Sequence, residues 1–224
     1  VHRYPRWVVG RPAARAGRMV LFYRSMSAPM MFEDRKGYAN AERAAALAVG
    51  SVDPASVASE RGVEYDAGAS LFRIPSLGET VTVTYPEGVP GIEGRDLSGA
   101  AAVLALHYLV YRGEPLAKRG WLAYRDMPGA RHFAAAFEEM AERRIAECFG
   151  SSPAGLVEAA RLLGGVPGEP GDASAQIPAF PRVPLLVVLW GECEGVAGSS
   201  RILFLPSAPY YFHSEDLAAL GVVV

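Results

Sequence analysis

Hydrophobic and polar residues follow different spacings in successive blocks of the chain, and the first block is helical. Residues 38–49 form an alanine-rich stretch with helical spacing. Asp53 and Pro54 follow, and they are the residue types that favour the N-cap and the first turn of a helix. This second helix is expected to end at Arg61, because Gly62 is a typical helix stop. The sequence therefore predicts two consecutive helices at the start of the folded part.

The next block has the alternating pattern of short strands. Its last strand, Thr80 to Tyr85, alternates threonine with apolar residues, which predicts one face in contact with water. Ala67-Gly68 and Leu77-Gly78 are expected to be turns. Residues 86–94 are rich in proline and glycine, and we expect a loop there. The predicted strands are 63–66, 70–75 and 80–85.

The middle of the chain returns to helical spacing. A helix capped by Asp96 is predicted to run to Tyr111, and it is apolar on every face, so we expect it to be central. The helix with the clearest apolar stripe is predicted over Arg131–Phe149, with Glu142 among the charged residues of its solvent face. A third helix is predicted from about Pro153 to Leu163, with Ser152 as its cap.

Three strands and a short helix complete the pattern. The strands are predicted over 174–179, 184–190 and 201–205, and Ser214 is expected to cap a helix over 215–220. Strands and helices therefore occur in separate runs and do not alternate one by one. Such segregation predicts an α+β fold, a single domain with a mainly antiparallel sheet and segregated helices.

Charge divides the chain into two parts. Residues 1–32 contain six arginines and no acidic residue, and subtracting these six from the 22 basic residues leaves 16 against 24 acidic ones in the rest. We interpret residues 1–32 as a basic, disordered N-terminal extension or as translated upstream sequence, and residues 33–224 as the single domain. A basic arm that binds nucleic acid or an anionic membrane is the alternative. The acidic domain itself is not expected to bind nucleic acid.

Composition excludes several classes of protein. The chain is 50% hydrophobic with a net charge of −2, which excludes a disordered chain. No apolar run has the length of a membrane-spanning helix, so no membrane is expected as a partner. Two cysteines make neither a disulfide framework nor a four-cysteine metal site, and we therefore expect reduced thiols in the cytoplasm.

No recognised catalytic motif is present. The sequence contains no glycine-rich phosphate loop, no His-Glu-x-x-His, no Cys-x-x-Cys and no Gly-x-Ser-x-Gly. His107 lies on the apolar helix, where we expect a core histidine bonded to backbone or to a tyrosine. His213 precedes Ser214, Glu215 and Asp216, so a metal or acid–base role is one interpretation, and an ordinary helix cap is the other.

The segment after the apolar strand 184–190 offers a second candidate site. Trp190, Glu192, Cys193 and Glu194 follow each other closely, and with His213 they could ligate a borderline metal. A solvated hairpin turn is the alternative. The candidate metal ligands are Glu192, Cys193, His213 and Glu215.

Arg182 is the third candidate, because prolines on both sides fix its position at the mouth of a buried strand. A fixed arginine suits recognition of a carboxylate or phosphate, and a structural salt bridge is the alternative. If Arg182, Trp190 and His213 face each other, they line one pocket for an anionic small molecule. These three residues are the candidate ligand-binding set.

Several short segments, in order along the chain, together have the pattern of one known family. They are Gly37-Tyr38, Asp53-Pro54, 62–66, 72–75, 77–78, 106–109, 180–184, 189–190, 202–204 and 213–217. In order and spacing the chain resembles the prokaryotic domain of unknown function 3786 family over residues 37 to about 221. The resemblance implies an uncharacterised protein, largely of anaerobic bacteria and archaea, and a final helix longer than 215–220. Some members carry a cysteine-rich iron–sulfur segment, which this sequence lacks.

These observations lead to one functional hypothesis and two alternatives. The first is a small-ligand or cofactor-binding accessory protein of anaerobic metabolism, whose partner is an anionic small molecule or a metallo-cofactor. The second is a hydrolase or a metal-dependent lyase that uses His213 with Glu215 or Glu192. The third is a structural partner protein in an oligomeric complex. The sequence itself favours a non-enzymatic role, because no catalytic motif is recognised.

Overall fold

The structure is a computed structural model of the chain, and it describes residues 35–92 and 94–224, with the side chains of 35–37, 95 and 96 excepted. The basic extension predicted over residues 1–32 lies outside the described residues. No helix in the described part of the chain is both long enough and apolar enough to cross a bilayer.

Two helices open the described part, as the sequence predicts. Helix α1 spans Arg35–Val49, and helix α2 spans Pro54–Arg61. A carboxylate oxygen of Asp53 accepts the backbone N–H of Ser56 at 2.8 Å, so the predicted cap is present. Gly62 has φ +68° and ends α2 in the left-handed conformation that glycine adopts without strain.

The first sheet is a five-stranded antiparallel meander in the order β1–β2–β3–β4–β5. Its strands are β1 (Glu64–Asp66), β2 (Leu71–Ser76), β3 (Glu79–Thr84), β4 (Pro90–Ile92) and β5 (Arg95–Asp96). Leu77 and Gly78 form the β2–β3 turn with positive φ, as the sequence predicts. The segment predicted as a loop over 86–94 contains β4, because its backbone extends the ladder along β3.

A mostly buried helix packs against this sheet and against α1. Helix α3 spans Ala100–Val110, and most of its side chains are buried, which confirms the predicted central helix. Its N-cap is Gly99, with φ +69°. The prediction that Asp96 caps this helix is wrong, because Asp96 pairs with Gly91 in the ladder between β4 and β5.

The long helix predicted over Arg131–Phe149 is interrupted in its middle. Helix α4 spans Ala134–Phe137, a π-helical segment spans Glu138–Glu142, and helix α5 spans Arg143–Phe149. The wider π turn shifts the helix face, because it holds more residues than an α turn. Glu142, predicted on the solvent face, is therefore only 5% exposed. Its carboxylate accepts the N–H of Ile202 at 3.0 Å and Nη1 of Arg201 at 2.9 Å.

The second sheet is also five-stranded and antiparallel, in the order β6–β10–β9–β8–β7. Its strands are β6 (Leu122–Ala123), β7 (Val166–Pro167), β8 (Ala173–Phe180), β9 (Val183–Trp190) and β10 (Ser199–Phe204). Helix α6 (Ala154–Leu162) precedes β7. Ser152 does not cap it, because Pro153 occupies the N-cap position. The two sheets meet where Oγ of Ser76 donates to the carbonyl of Ala179 at 2.8 Å.

Two helices close the chain. Helix α7 spans Ala208–Tyr211, and helix α8 spans Ser214–Val223. The final helix is longer than the predicted 215–220, as the resemblance implies. Its N-cap position holds His213 in an extended conformation, and the predicted cap Ser214 is already helical. The architecture is an α+β domain with antiparallel sheets, which confirms the predicted fold class.

Removing the Glu142 carboxylate is expected to destabilise the fold. Glu142→Ala leaves Arg201 and the N–H of Ile202 without this partner, and we expect the free energy of unfolding to fall by about 3 kcal/mol. Glu139→Ala is the matched control, since Glu139 is an exposed acid in the same helical segment and forms a surface ion pair with Arg143. For this control we expect the free energy of unfolding to fall by less than about 0.5 kcal/mol. Urea denaturation measures both, and equal losses would contradict the buried role of Glu142.

The same carboxyl group makes stability depend on pH. Burial raises the pKa of Glu142, although the N–H of Ile202 and the charge of Arg201 oppose that rise. The folded chain therefore holds this proton more tightly than the unfolded chain. The stabilisation that comes from this tighter proton binding is fully present below the ordinary glutamate pKa. It is lost as the pH rises through the raised pKa of the folded chain. Glu142→Gln is expected to flatten this part of the stability profile, measured by urea denaturation from about pH 4 to about pH 7.

Candidate functional site

A histidine and an aspartate that are distant in sequence form the centre of the candidate site. Nδ1 of His107, in the last turn of α3, lies 2.9 Å from Oδ2 of Asp216 in the first turn of α8. The two residues are 109 positions apart. The sequence predicts a backbone or tyrosine partner for His107, and the structure provides a carboxylate instead.

Asp216 has two tasks at once. The same oxygen, Oδ2, accepts the backbone N–H of His213 at 3.1 Å, so the carboxylate is fixed at the start of α8. An ionised Asp216 requires the neutral His107 ring to carry its proton on Nδ1, which leaves Nε2 as the acceptor. Within the described residues, Asp216 is the only hydrogen-bond partner of that ring.

A second imidazole lies beside the first. The His213 ring is exposed, its centroid is 5.7 Å from that of His107, and the two rings meet edge to face at 71°. The His213 ring also contacts the ring of Tyr111, with 3.8 Å between the two ring centroids. His107 and Tyr111 are four residues apart, so they lie on one face of α3 and its C-terminal cap. The His213 ring therefore packs between two side chains from the end of α3.

His213 and Tyr111 line a cavity of about 340 Å³, which we call the His213 cavity. It lies between the segment that follows α3 and the start of α8. Its polar wall contains Tyr111, Glu114, His213 and Ser214. Its apolar wall includes Leu116, Phe212, Leu217 and three prolines, Pro115, Pro128 and Pro209.

The tyrosines around Asp216 are held in their protonated form. Burial, and then the charge of Asp216, raise the pKa of Tyr111. Burial, followed by the charges of Asp216 and Glu215, raises the pKa of Tyr38 to about 12. Burial and Glu215 also raise the pKa of Tyr124, whose hydroxyl donates to the carbonyl of Ser214 at 2.9 Å. At neutral pH these hydroxyl groups are hydrogen-bond donors.

A buried arginine holds the wall of the cavity. Arg61 has no exposed side-chain surface, and its Nη2 donates to the carbonyl of Tyr111 at 2.6 Å. The guanidinium carbon lies 5.2 Å from the ring centre of Tyr210 and 4.9 Å from that of Tyr211. Burial lowers the pKa of Arg61, and the charge of Glu60 opposes this effect. Cation–π contacts and the hydrogen bond from Nη2 therefore replace only part of its hydration. Nε and Nη1 are buried and have no hydrogen-bond partner among the described residues.

Glu60 links the same arginine to the surface. Its carboxylate accepts the hydroxyl of Tyr210 at 2.6 Å and Nη2 of Arg112 at 2.6 Å. Burial acts to raise the pKa of Glu60, but these two hydrogen bonds and the neighbouring arginines outweigh it, and the pKa is lowered. The N–H of Gly113 donates to the carbonyl of Tyr210 at 3.0 Å. Together these bonds join the two chain segments that form the cavity wall.

The structure does not bring the predicted ligand-binding residues together. Arg182 lies in the turn between β8 and β9, and Trp190 ends β9. At about 3.3 Å per residue, an extended strand of this length separates them by about 25 Å. Of the three candidates, only His213 lines the His213 cavity.

Arg182 instead lies near a second, open cavity of about 410 Å³. Its side chain is exposed, and its backbone N–H donates to the hydroxyl of Tyr108 at 3.1 Å. Nε of Arg182 would lie 3.1 Å from a Cβ placed on Gly62, one of the residues of that cavity's wall. The guanidinium group therefore covers the glycine that ends α2.

The predicted metal ligands are not grouped either. Glu192 and Cys193 are exposed in the connection between β9 and β10, where Cys193 pairs with Val196 in a turn. His213 and Glu215 lie at the start of α8. In residues 35–92 and 94–224, no three His, Cys, Asp or Glu side chains are placed to hold a metal ion.

Sequence reasoning missed three members of the site: Asp216 as a partner of His107, Tyr111 in the cavity wall, and the buried Arg61. A signal exists for Tyr111, since it is four residues after His107 on the same helix. Asp216 is visible in the His213–Asp216 run, but the sequence does not indicate which element it faces. Nothing local distinguishes Arg61 from a surface arginine in the last turn of α2.

Comparison with known protein families gives a match over most of the chain. The family model described as Domain of unknown function (DUF3786) matches residues 53–224, which include every residue of the site except Tyr38. Neither the curated proteins nor the solved structures contain a match to the chain.

Asp216 is expected to support both the fold and the orientation of His107. Asp216→Ala removes a partly buried carboxylate with two hydrogen-bond donors, and we expect the free energy of unfolding to fall by about 2 to 3 kcal/mol. Glu215→Ala is the matched control, because Glu215 is an exposed acid in the same turn of α8. We expect it to change stability by less than about 0.5 kcal/mol.

The tautomer provides a second measurement of the same contact. In the wild type, ¹⁵N NMR of the imidazole rings is expected to show the proton of neutral His107 on Nδ1. Asp216→Ala should shift the population towards the Nε2–H form, and Glu215→Ala should not. An unchanged His107 spectrum in Asp216→Ala would show that the carboxylate does not set the tautomer.

Proposed function

The chain belongs to the DUF3786 family of domains of unknown function, and we propose that it is a small-molecule-binding protein whose site is the His213 cavity. The observation that carries this proposal is the convergence of His213, Tyr111 and Ser214 on one concave wall beside the His107–Asp216 pair. Polar groups that converge beside apolar side chains in a concave wall are typical of ligand sites. The cavity volume of about 340 Å³ also lies within the range of small-molecule pockets.

The charge of the wall favours a neutral ligand. Glu114 is the carboxylate of the wall, and no lysine or arginine lies among the described residues that line it. A carboxylate or phosphate would meet Glu114 without a permanent cation to balance it. Arg182, the basis for expecting an anionic ligand, lies elsewhere. We therefore propose a neutral molecule in place of the anionic one.

The composition of the wall also limits the shape of the ligand. Leu116 and the exposed prolines Pro115 and Pro128 offer apolar contact area, and Tyr111 offers a protonated hydroxyl. A ligand that fits has an apolar body and one carbonyl or hydroxyl group to pair with these donors. Small neutral ketones, esters and alcohols are the compounds of this class to test first.

The proposed setting is the cytoplasm of an anaerobic prokaryote, with the protein as an accessory binding component. The free, exposed thiols Cys148 and Cys193 are compatible with a reducing compartment. The anaerobic setting depends on the family resemblance alone. A metallo-cofactor is not part of this proposal, because the wall of the cavity offers no thiolate.

Filling the cavity is expected to abolish ligand binding. In an NMR titration of the full chain with para-nitroacetophenone and related small neutral carbonyl compounds, we expect the amide shifts to cluster at the cavity wall. Leu116→Trp places an indole in the space that the ligand needs and should weaken binding at least about tenfold. Leu162→Trp is the matched control, since Leu162 is 69% exposed on α6 and lies outside the wall.

Two results would contradict the proposal. One is a set of perturbed amides located away from the cavity wall, for example around Arg182 and the second cavity. The other is equal affinity of Leu116→Trp and Leu162→Trp for the same compounds. Binding of inorganic phosphate at the cavity wall, with no binding of the neutral compounds, would restore the anionic ligand.

A further inference from the structure

We propose that the His213 cavity hydrolyses small neutral esters, with His213 as the catalytic acid–base and with His107 and Asp216 as positioning residues. This inference rests on the proposed function, because it requires a neutral carbonyl compound in the cavity. It goes beyond binding, since it assigns a reaction and separate roles to the residues around His213.

His213 is the imidazole that can reach both ligand and water. Its side chain is exposed at the N-cap of α8 and forms part of the cavity wall. The His107 side chain is only 19% exposed and does not belong to that wall. A general acid–base group must lie within hydrogen-bond reach of the reacting atoms, and of the two histidines His213 meets this condition.

Three neighbours hold the His213 ring and backbone in place. Asp216 accepts its N–H at 3.1 Å, and the rings of Tyr111 and His107 contact its ring at 3.8 Å and 5.7 Å between centroids. Asp216 in turn fixes the His107 ring through Nδ1. One carboxylate therefore orients the backbone of the catalytic residue and the ring packed against it. Such preorganisation is what a positioned acid–base requires.

The nucleophile in this proposal is water. Ser214 lines the cavity, but no hydrogen bond between described residues joins its hydroxyl to either imidazole, and Oγ lies 2.9 Å from where a Cβ on Gly129 would stand. Neither Cys148 nor Cys193 belongs to the cavity wall. A side-chain nucleophile needs a base within hydrogen-bond reach, and in the described part of the chain none of these three side chains forms a hydrogen bond to an imidazole.

The reaction divides into two balanced steps. The oxygen of water forms a bond to the carbonyl carbon of the ester, and a ring nitrogen of His213 takes one proton from that water. The carbonyl electron pair moves onto its oxygen, to which the protonated hydroxyl of Tyr111 donates. The bond from carbon to the alkoxy oxygen then breaks, and His213 returns its proton to that oxygen. A carboxylic acid and an alcohol leave, and neutral His213 is restored.

The test measures hydrolysis of para-nitrophenyl acetate by the full chain in a Cys148→Ser, Cys193→Ser background, which removes reaction of the ester with thiols. We expect His213→Ala to lower kcat/KM about 100-fold, in line with the contribution of a general acid–base. His132→Ala is the matched control, since His132 is an exposed histidine outside the cavity wall, and its kcat/KM should equal that of the parent.

Chemical rescue separates a catalytic role from a structural one. Free imidazole added to His213→Ala should restore several-fold turnover, because it can occupy the emptied space and exchange protons with water. It should have no such effect on Leu116→Trp, in which the space is filled. His107→Phe keeps an aromatic ring beside His213, and we expect it to lose less activity than His213→Ala.

Two results overturn the inference: no turnover of the parent above that of free imidazole at equal concentration, or equal turnover of His213→Ala and His132→Ala. Binding of para-nitroacetophenone, the ketone analogue of the ester, distinguishes this failure from failure of the proposed function. A parent chain that binds the ketone at the cavity wall without hydrolysing the ester is a binding protein only. A chain that does neither loses both proposals.

Discussion

The burial of one guanidinium group is the constraint on which the rest of the structure depends. A fully buried charge is costly unless other groups replace the water around it. For Arg61 most of these groups come from distant parts of the chain: the carbonyl of Tyr111 and the rings of Tyr210 and Tyr211. The carboxylate of Glu60, its neighbour in sequence, adds an opposite charge at 3.4 Å. The end of α2 is therefore tied to the end of α3 and to α7. The same contact holds the backbone of Tyr111, a residue of the wall of the His213 cavity.

The candidate site and the fold share their electrostatic contacts. Asp216 begins α8 by accepting the N–H of His213, and with the same oxygen it binds the imidazole of His107. A helix cap and a candidate proton-transfer site are thus one group of atoms. Glu142, in the π-helical segment beside the second sheet, has a comparable role, since its carboxylate binds β10 through Arg201 and the N–H of Ile202. In both places a carboxylate on a helix connects elements that are far apart in sequence.

Local signals predicted most of the elements. Asp53, Pro54 and Gly62 bound α2 as expected, because caps and stops act within one helical turn. The central helix and the long strands were predicted for the same reason, since hydrophobic periodicity reports directly on burial. The π-helical segment was not predictable, because the apolar stripe over Arg131–Phe149 was derived for regular α-helical spacing. The widened turn that buries Glu142 is stabilised by contacts with β10, which is distant in sequence. Strands β4 and β5 were missed because their pairing is with each other and with β3.

The sequence by itself determined the class of fold, most of its main elements and the family, because each depends on residue patterns within short segments. It also marked His213 as a candidate site residue, whereas it assigned His107 to the core. Only the tertiary structure decided their partners. It placed Asp216 against a histidine 109 residues away, and it separated Arg182 from Trp190 along the whole of β9. The physical reason is that a site requires atoms within about 3 Å of each other. Such proximity arises from the packing of whole elements, which the spacing of residues along a chain does not encode.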